Sequence, residues 1–249
     1  MKRLESKHPL AIRWFHWINF PVLFVMIWSG ILIYWANDVY RIGWGSHTLF
    51  HFFPDKFYTK FNIDGRLAEG QAWHWTFMWI FTINGIAYVI YNLVSGEWRY
   101  IVPNRSTLRE AIQVVLYDLH LVRTHPKRQK FNGAQKIAYT GVILMGFGSL
   151  VTGLAIYKPI QFAWITSLLN FPFLGCTGYE LARFFHFWLT MAFLGFFVVH
   201  VMQVARAGWN NFRAMVTGFE IVEDEEGEST GQLSLDHPKV DHEEMSHVS

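Results

Sequence analysis

Residues Ala182–Val201 read "ARFFHFWLTMAFLGFFVVHV". The stretch has no acid and one base, Arg183, at its start, yet it holds two histidines, His186 and His200. Imidazole is costly in hydrocarbon, so an intramembrane histidine is a functional candidate by default. Fourteen residues is about 3.9 helical turns, which puts both rings on nearly one face, about 21 Å apart along the axis.

The surrounding chain is of the same kind. Of 249 residues, 52% are hydrophobic and 16% charged, where soluble domains average about a quarter charged. Four apolar runs are long enough to cross a bilayer core, which takes about 20 residues. They cover about 14–35, 73–94, 134–156 and 181–204, with Trp and Tyr clustered at their ends as membrane interfaces favour. The first run is too long for a signal-peptide core and no small-residue cleavage site follows it, so it is expected to stay as a span. A fifth apolar stretch, 160–174, is short and contains Asn170 and Pro172. It fits an interfacial or re-entrant segment.

Charge supplies the orientation. Lys2, Arg3, Lys7 and Arg13 precede the first span, and Arg206 and Arg213 follow the last. The connection between spans two and three carries eight bases: Arg99, Arg105, Arg109, Arg123, Lys127, Arg128, Lys130 and Lys136. The opposite side balances its bases with acids. Both termini are therefore expected in the cytoplasm, which needs an even number of spans. The single cysteine, Cys176, cannot form an internal disulfide, and no CxxCH would attach haem covalently. There is no Walker loop or GxGxxG, and no nucleic-acid role is read from the chain.

Between the spans, residues 36–72 form a long aromatic outer loop whose composition argues against disorder. On the inner side, Ser106 or Thr107 can cap a helix with Leu108, Ile112, Val115 and Leu119 along one stripe, an amphipathic surface helix. From Glu220 the composition turns acidic: residues 220–249 hold ten of nineteen acids and one base, Lys239. Residues 1–219 are thus expected to form the membrane domain and 220–249 a disordered acidic tail.

Four of the twelve histidines fall in the spans: His16, His74, His186 and His200. The topology places His74 and His186 near the outer surface, and His16 and His200 near the inner one. Zinc would want three or four ligands per site, and acids and thiols are lacking at these depths apart from Glu180. Two opposed imidazoles instead match axial ligation of haem iron. Two non-covalent haems stacked through the bilayer follow, with no open coordination position, which suits electron transfer. Gly30 and Gly85 lie in helical phase with His16 and His74. They thin the helix beside a haem or serve ordinary small-residue packing. Arg13, Arg183 and Arg206 are placed to pair with haem propionates or simply to set topology.

With these residues in view, the chain resembles the di-haem cytochrome b subunits that anchor nickel–iron hydrogenases, formate dehydrogenases and related molybdenum oxidoreductases. The resemblance covers about residues 8–215. It is carried by "RWFHW" opening the first span, His74 opening the second, "FNGAQKIAYTG" opening the third and the His186/His200 pair. It implies that the haems are b-type and that the fold is an all-α bundle of four transmembrane helices in the bacterial inner membrane. It also implies an electron-transferring, quinone-reactive subunit whose outer-side iron–sulfur, molybdenum or nickel–iron partner does the substrate chemistry. In that family an N-x-x-Q motif lies beside the quinone, which places Asn132 and Gln135 at a quinone carbonyl; Asn132 equally fits a helix N-cap. The alternative is a self-contained quinone-linked cytochrome b acting directly on a small outer-side redox substrate.

Overall fold

In the computed structural model the described residues are 2–44, 46–118, 120–123, 131–171 and 175–223. Four long helices dominate: α1 (Leu10–Tyr34), α3 (Leu67–Ser95), α6 (Gly133–Tyr157) and α8 (Gly178–Thr217). Each is long and apolar enough to cross a membrane. They cover the four predicted runs, except that Trp35 falls in a short 3-10 turn (Trp35–Asn37) just after α1. Large apolar side chains such as Phe24, Ile83, Val94, Leu144 and Phe147 stand exposed on their flanks, as a lipid-facing surface requires. The fold is therefore a four-helix membrane bundle.

The bundle is built from two pairs. α1 lies along α3 and α6 along α8, while α1 meets α8 and α3 meets α6 at few points. A slot is left between the pairs. The ends differ. At the end where the described residues begin and stop, β1 (Lys2–Ser6) pairs antiparallel with β4 (Phe219–Glu223). At the opposite end a hairpin, β2 (Arg41–Trp44) and β3 (His47–His51), is followed by the short helix α2 (Asp55–Phe61). These are called the terminal end and the hairpin end below.

The expected tail starts too early. Glu220–Glu223 belong to β4, held by their ladder to β1, by an ion pair of Glu220 with Lys7, and by the Asn210 side chain. That amide donates to Ile221 O and accepts from Ile221 N–H, both at 2.9 Å. The pairing partner lies some two hundred residues away in sequence, which is why composition alone ran the tail through it. Residues 224–249 fall outside the described residues, as do Leu119, Lys127, Arg128, Lys130 and Pro172–Leu174.

Stretch 160–174 contributes the short helix α7 (Ala163–Leu168). Its buried Ile165 packs with Ala155 of α6 and Ala182 of α8, a wedge between two helix ends. After the four-residue α4 (Trp98–Ile101), helix α5 (Thr107–Asp118) lies against the start of α6. Thr107, Ala111 and Val114 are buried there, leaving Leu108, Ile112 and Val115 exposed. The apolar stripe legible in the sequence is thus the outward face, the side a bilayer would meet.

α8 is broken at Gly208, whose backbone (φ 81°, ψ 176°) is essentially glycine-only. Beyond it, the last turns fold back on α1. Arg13 Nη1 donates to Val216 O at 2.7 Å and Trp17 Nε1 to Met215 O at 3.1 Å.

Candidate functional site

His16 (α1) and His200 (α8) meet near the terminal end, with ring centroids 6.0 Å apart and planes at 55°. His74 (α3) and His186 (α8) meet near the hairpin end, at 6.2 Å and 68°. In each case the slot-facing ring is half-buried, while Trp14 and Trp73 beside them are exposed and Trp75 packs on Tyr157 of α6. α8 presents one imidazole to each helix of the α1–α3 pair, so both histidine pairs span the slot.

That spacing tests the cofactor reading. A metal held between two imidazoles, each with a nitrogen about 2 Å from it, sets the ring centroids about 6 Å apart. Both pairs have that separation. Among the described residues no three His, Cys, Asp or Glu side chains converge, so neither pair has the donor set of a structural zinc site. The residues present fit haem iron with two axial imidazoles.

The hairpin-side pair has further partners. Ser29 Oγ lies 2.9 Å from His74 Nδ1, and Thr152 Oγ1 lies 3.0 Å from His186 Nδ1. Each hydroxyl donates its proton to its own helix backbone: Ser29 to Met26 O at 3.1 Å, Thr152 to Gly148 O at 2.7 Å. With that proton on the backbone, each oxygen accepts from Nδ1–H, and the Met26 and Ser149 carbonyls are further acceptors beside the same two rings. That fixes the tautomer and leaves the Nε2 lone pair for a metal. The terminal-side pair lacks this arrangement: His16 Nδ1 is buried with no hydrogen-bond partner. His200 instead stacks on Phe196, with centroids 5.6 Å apart.

The remaining predicted residues divide. A Cβ on Gly30 would sit 3.7 Å from His74 Cε1, so this glycine abuts a hairpin-side ring. A Cβ on Gly85 would meet no atom within 4 Å. Arg13 is turned toward the end of α8, as above. Arg183 lines an open cavity of about 540 Å³ with Asn37, Tyr40, Cys176 and Glu180. With the Asn37 amide oxygen turned toward it, that side chain accepts from both Arg183 Nη atoms, at 2.7 and 3.1 Å. Arg206 is exposed beside the break in α8. Asn132 and Gln135 form a capping box on α6. Asn132 Oδ1 accepts from Gln135 N–H at 2.9 Å, and Gln135 Oε1 from Asn132 N–H at 3.0 Å. A quinone carbonyl would have to be met by their NH2 groups.

Sequence reasoning missed Ser29, Thr152 and Gly153, whose added Cβ would come within 3.3 Å of His186 Cε1. The available signal was a repeated hydroxyl–glycine dipeptide, Ser29–Gly30 and Thr152–Gly153. It also missed an aromatic lid at the hairpin end. Tyr34 stacks on Tyr40 at 5.7 Å, and Tyr34, Tyr40 and Phe52 all pack on Phe187, the residue after His186. Tyr58, fully buried, donates to Ile31 O at 3.1 Å, and burial raises its phenol pKa well above the usual value.

Comparison with known proteins gives the family. The family model described as prokaryotic cytochrome b561 matches residues 7–218. The chain belongs to the prokaryotic cytochrome b561 family. It is accordingly a bacterial membrane protein of haem-b electron transport. A similar chain from Azospira oryzae is 29% identical over 205 residues, 82% of this chain and 92% of that one. It is provisionally named protein-methionine-sulfoxide reductase subunit YedZ1.

Proposed function

We propose that this b561-family chain is the di-haem membrane subunit of a respiratory oxidoreductase, exchanging electrons between quinone and a partner subunit across the bacterial inner membrane. The observation that carries it is the two imidazole pairs, one near each end of the bundle, each with the separation of axial ligands on one iron. A haem held in this way supplies one-electron transfer with no open position for oxygen or substrate. His16 and His200 would hold one, His74 and His186 the other.

The bias of basic residues supports a cytoplasmic terminal end. Quinone is assigned to that end, beside Asn132 and Gln135, whose NH2 groups would donate to its carbonyl. The hairpin end then faces the partner, with the aromatic lid and the cavity at Arg183 next to His186. The name of the A. oryzae relative favours a partner that reduces its substrate and so draws electrons from this chain. Arg183 and Arg206 are proposed to hold propionates. Arg13 is better explained as a clasp on the end of α8.

The deciding experiment is a potentiometric titration of the purified protein, followed by visible spectroscopy, on wild type and four His→Ala variants. Two b-type components are expected. His16→Ala and His200→Ala should remove one of them, and His74→Ala and His186→Ala the other. Full retention of both haems in any of the four would overturn the ligand assignment. Stable co-purification of a redox subunit tests the partner, and its absence from gently solubilised membranes would favour a self-contained enzyme.

A further inference from the structure

We propose that Ser29 and Thr152 are positioning residues that make the hairpin-side haem site electronically distinct, holding its midpoint potential down by accepting hydrogen bonds from both axial imidazoles. The inference rests on the di-haem reading above.

The two sides of this site repeat one device. Ser29–Gly30 on α1 faces His74 on α3, and Thr152–Gly153 on α6 faces His186 on α8. In each, the hydroxyl meets Nδ1 at 2.9 or 3.0 Å and the glycine that follows lies against Cε1. The hydroxyls are themselves buried, Ser29 completely and Thr152 with 6% exposure, so water does not compete for the imidazole proton. Each acceptor comes from the other helix of its own pair, so either half of the bundle orients its own ring without help from the other. The terminal-side site contrasts with this, since His16 Nδ1 is buried and without a partner.

The electronic consequence follows from the direction of the bond. An acceptor at Nδ1–H makes the imidazole a stronger donor at Nε2. A stronger axial donor favours the oxidised metal and lowers its potential, one of the levers by which a protein tunes haem. Both ligands of one site carry this bond, so their effects add there.

The test uses the full-length haem-loaded protein in detergent, with Ser29→Ala, Thr152→Val and the double variant. Potentiometric titration should show one component of the double variant moved upward. The oxidised-to-reduced ratio of that haem at fixed potential should fall on the order of tenfold, about 59 mV for a one-electron couple. The second component should stay in place. Low-temperature electron paramagnetic resonance should show the low-spin signal of the same haem altered. Ser29→Thr and Thr152→Ser should return the wild-type potential, which a purely space-filling role would not predict. Thr152→Val alone keeps the side-chain shape and should give a smaller shift in the same direction. Two haems bound with neither potential moved, or both moved equally, would overturn the proposal. A wild-type protein with one haem or none would instead overturn the di-haem reading beneath it.

Discussion

Gly30 and Gly153 play the same part with different tolerances. A methyl group at Gly30 would make ordinary contact with His74, at 3.7 Å, whereas at Gly153 it would lie 3.3 Å from His186 Cε1. Gly30→Ala should therefore keep both haems. Gly153→Val should displace the His186 ring and lower the haem-to-protein ratio toward one, measured by pyridine haemochrome. The four histidines stood out in the sequence because ionisable groups are rare in apolar spans. Their hydroxyl partners did not. A Ser or Thr that bonds its own helix backbone is ordinary in a membrane helix, and only the position of the facing helix shows that the oxygen also meets an imidazole. Asn132 and Gln135 were legible as a motif, and the capping box shows the local work those side chains do.

At the scale of elements, the break in α8 is the most specific feature. Gly208 holds a conformation closed to residues with a side chain, and forcing one into it costs about 1–3 kcal/mol. Gly208→Ala should lower the thermal midpoint of the haem-loaded protein in detergent by several degrees. It should also free the segment that Arg13 and Trp17 hold. An unchanged midpoint would mean that the turn re-forms without cost. Helix α5 makes a second element-level case. A Cβ at Gly133 would come within 2.6 Å of backbone atoms of Thr107 and Ala111. Gly133→Ala should lift α5 from α6, seen as faster proteolysis within residues 107–118. Long helices were readable from their apolar length alone. The β1–β4 pair was not, because five-residue strands carry little pattern and their pairing is decided by where α8 turns back.

For the whole molecule, the slot between the α1–α3 and α6–α8 pairs sets the stability. The backbones of the two pairs approach at few points, so what lies between the imidazoles adds to the aromatic lid and the Arg13 clasp in holding the halves together. A ligand that binds only the folded state adds about 2.7 kcal/mol when present at a hundred times its dissociation constant. Haem-depleted protein should thus unfold at a clearly lower temperature than loaded protein, and added haem should restore the midpoint in a concentration-dependent way. Equal midpoints would show that the halves hold together unaided. The pairing of helices is the part of the architecture that hydropathy did not reveal. Apolar length says how many spans exist, while small residues such as Gly70, against Leu32 of α1, let particular neighbours close.

The placement of two imidazoles on α8 has a consequence in time. α1 and α3 enter the membrane with one histidine each, His16 and His74, and neither has an opposite number until the fourth span arrives. Both pairs are completed by the insertion of one helix, α8, and the strand that clasps β1 follows directly after it. A ribosome that stalls before residue 178 leaves a three-span product with two half-sites and an unpaired β1. Neither imidazole pair can form before α8 is in place.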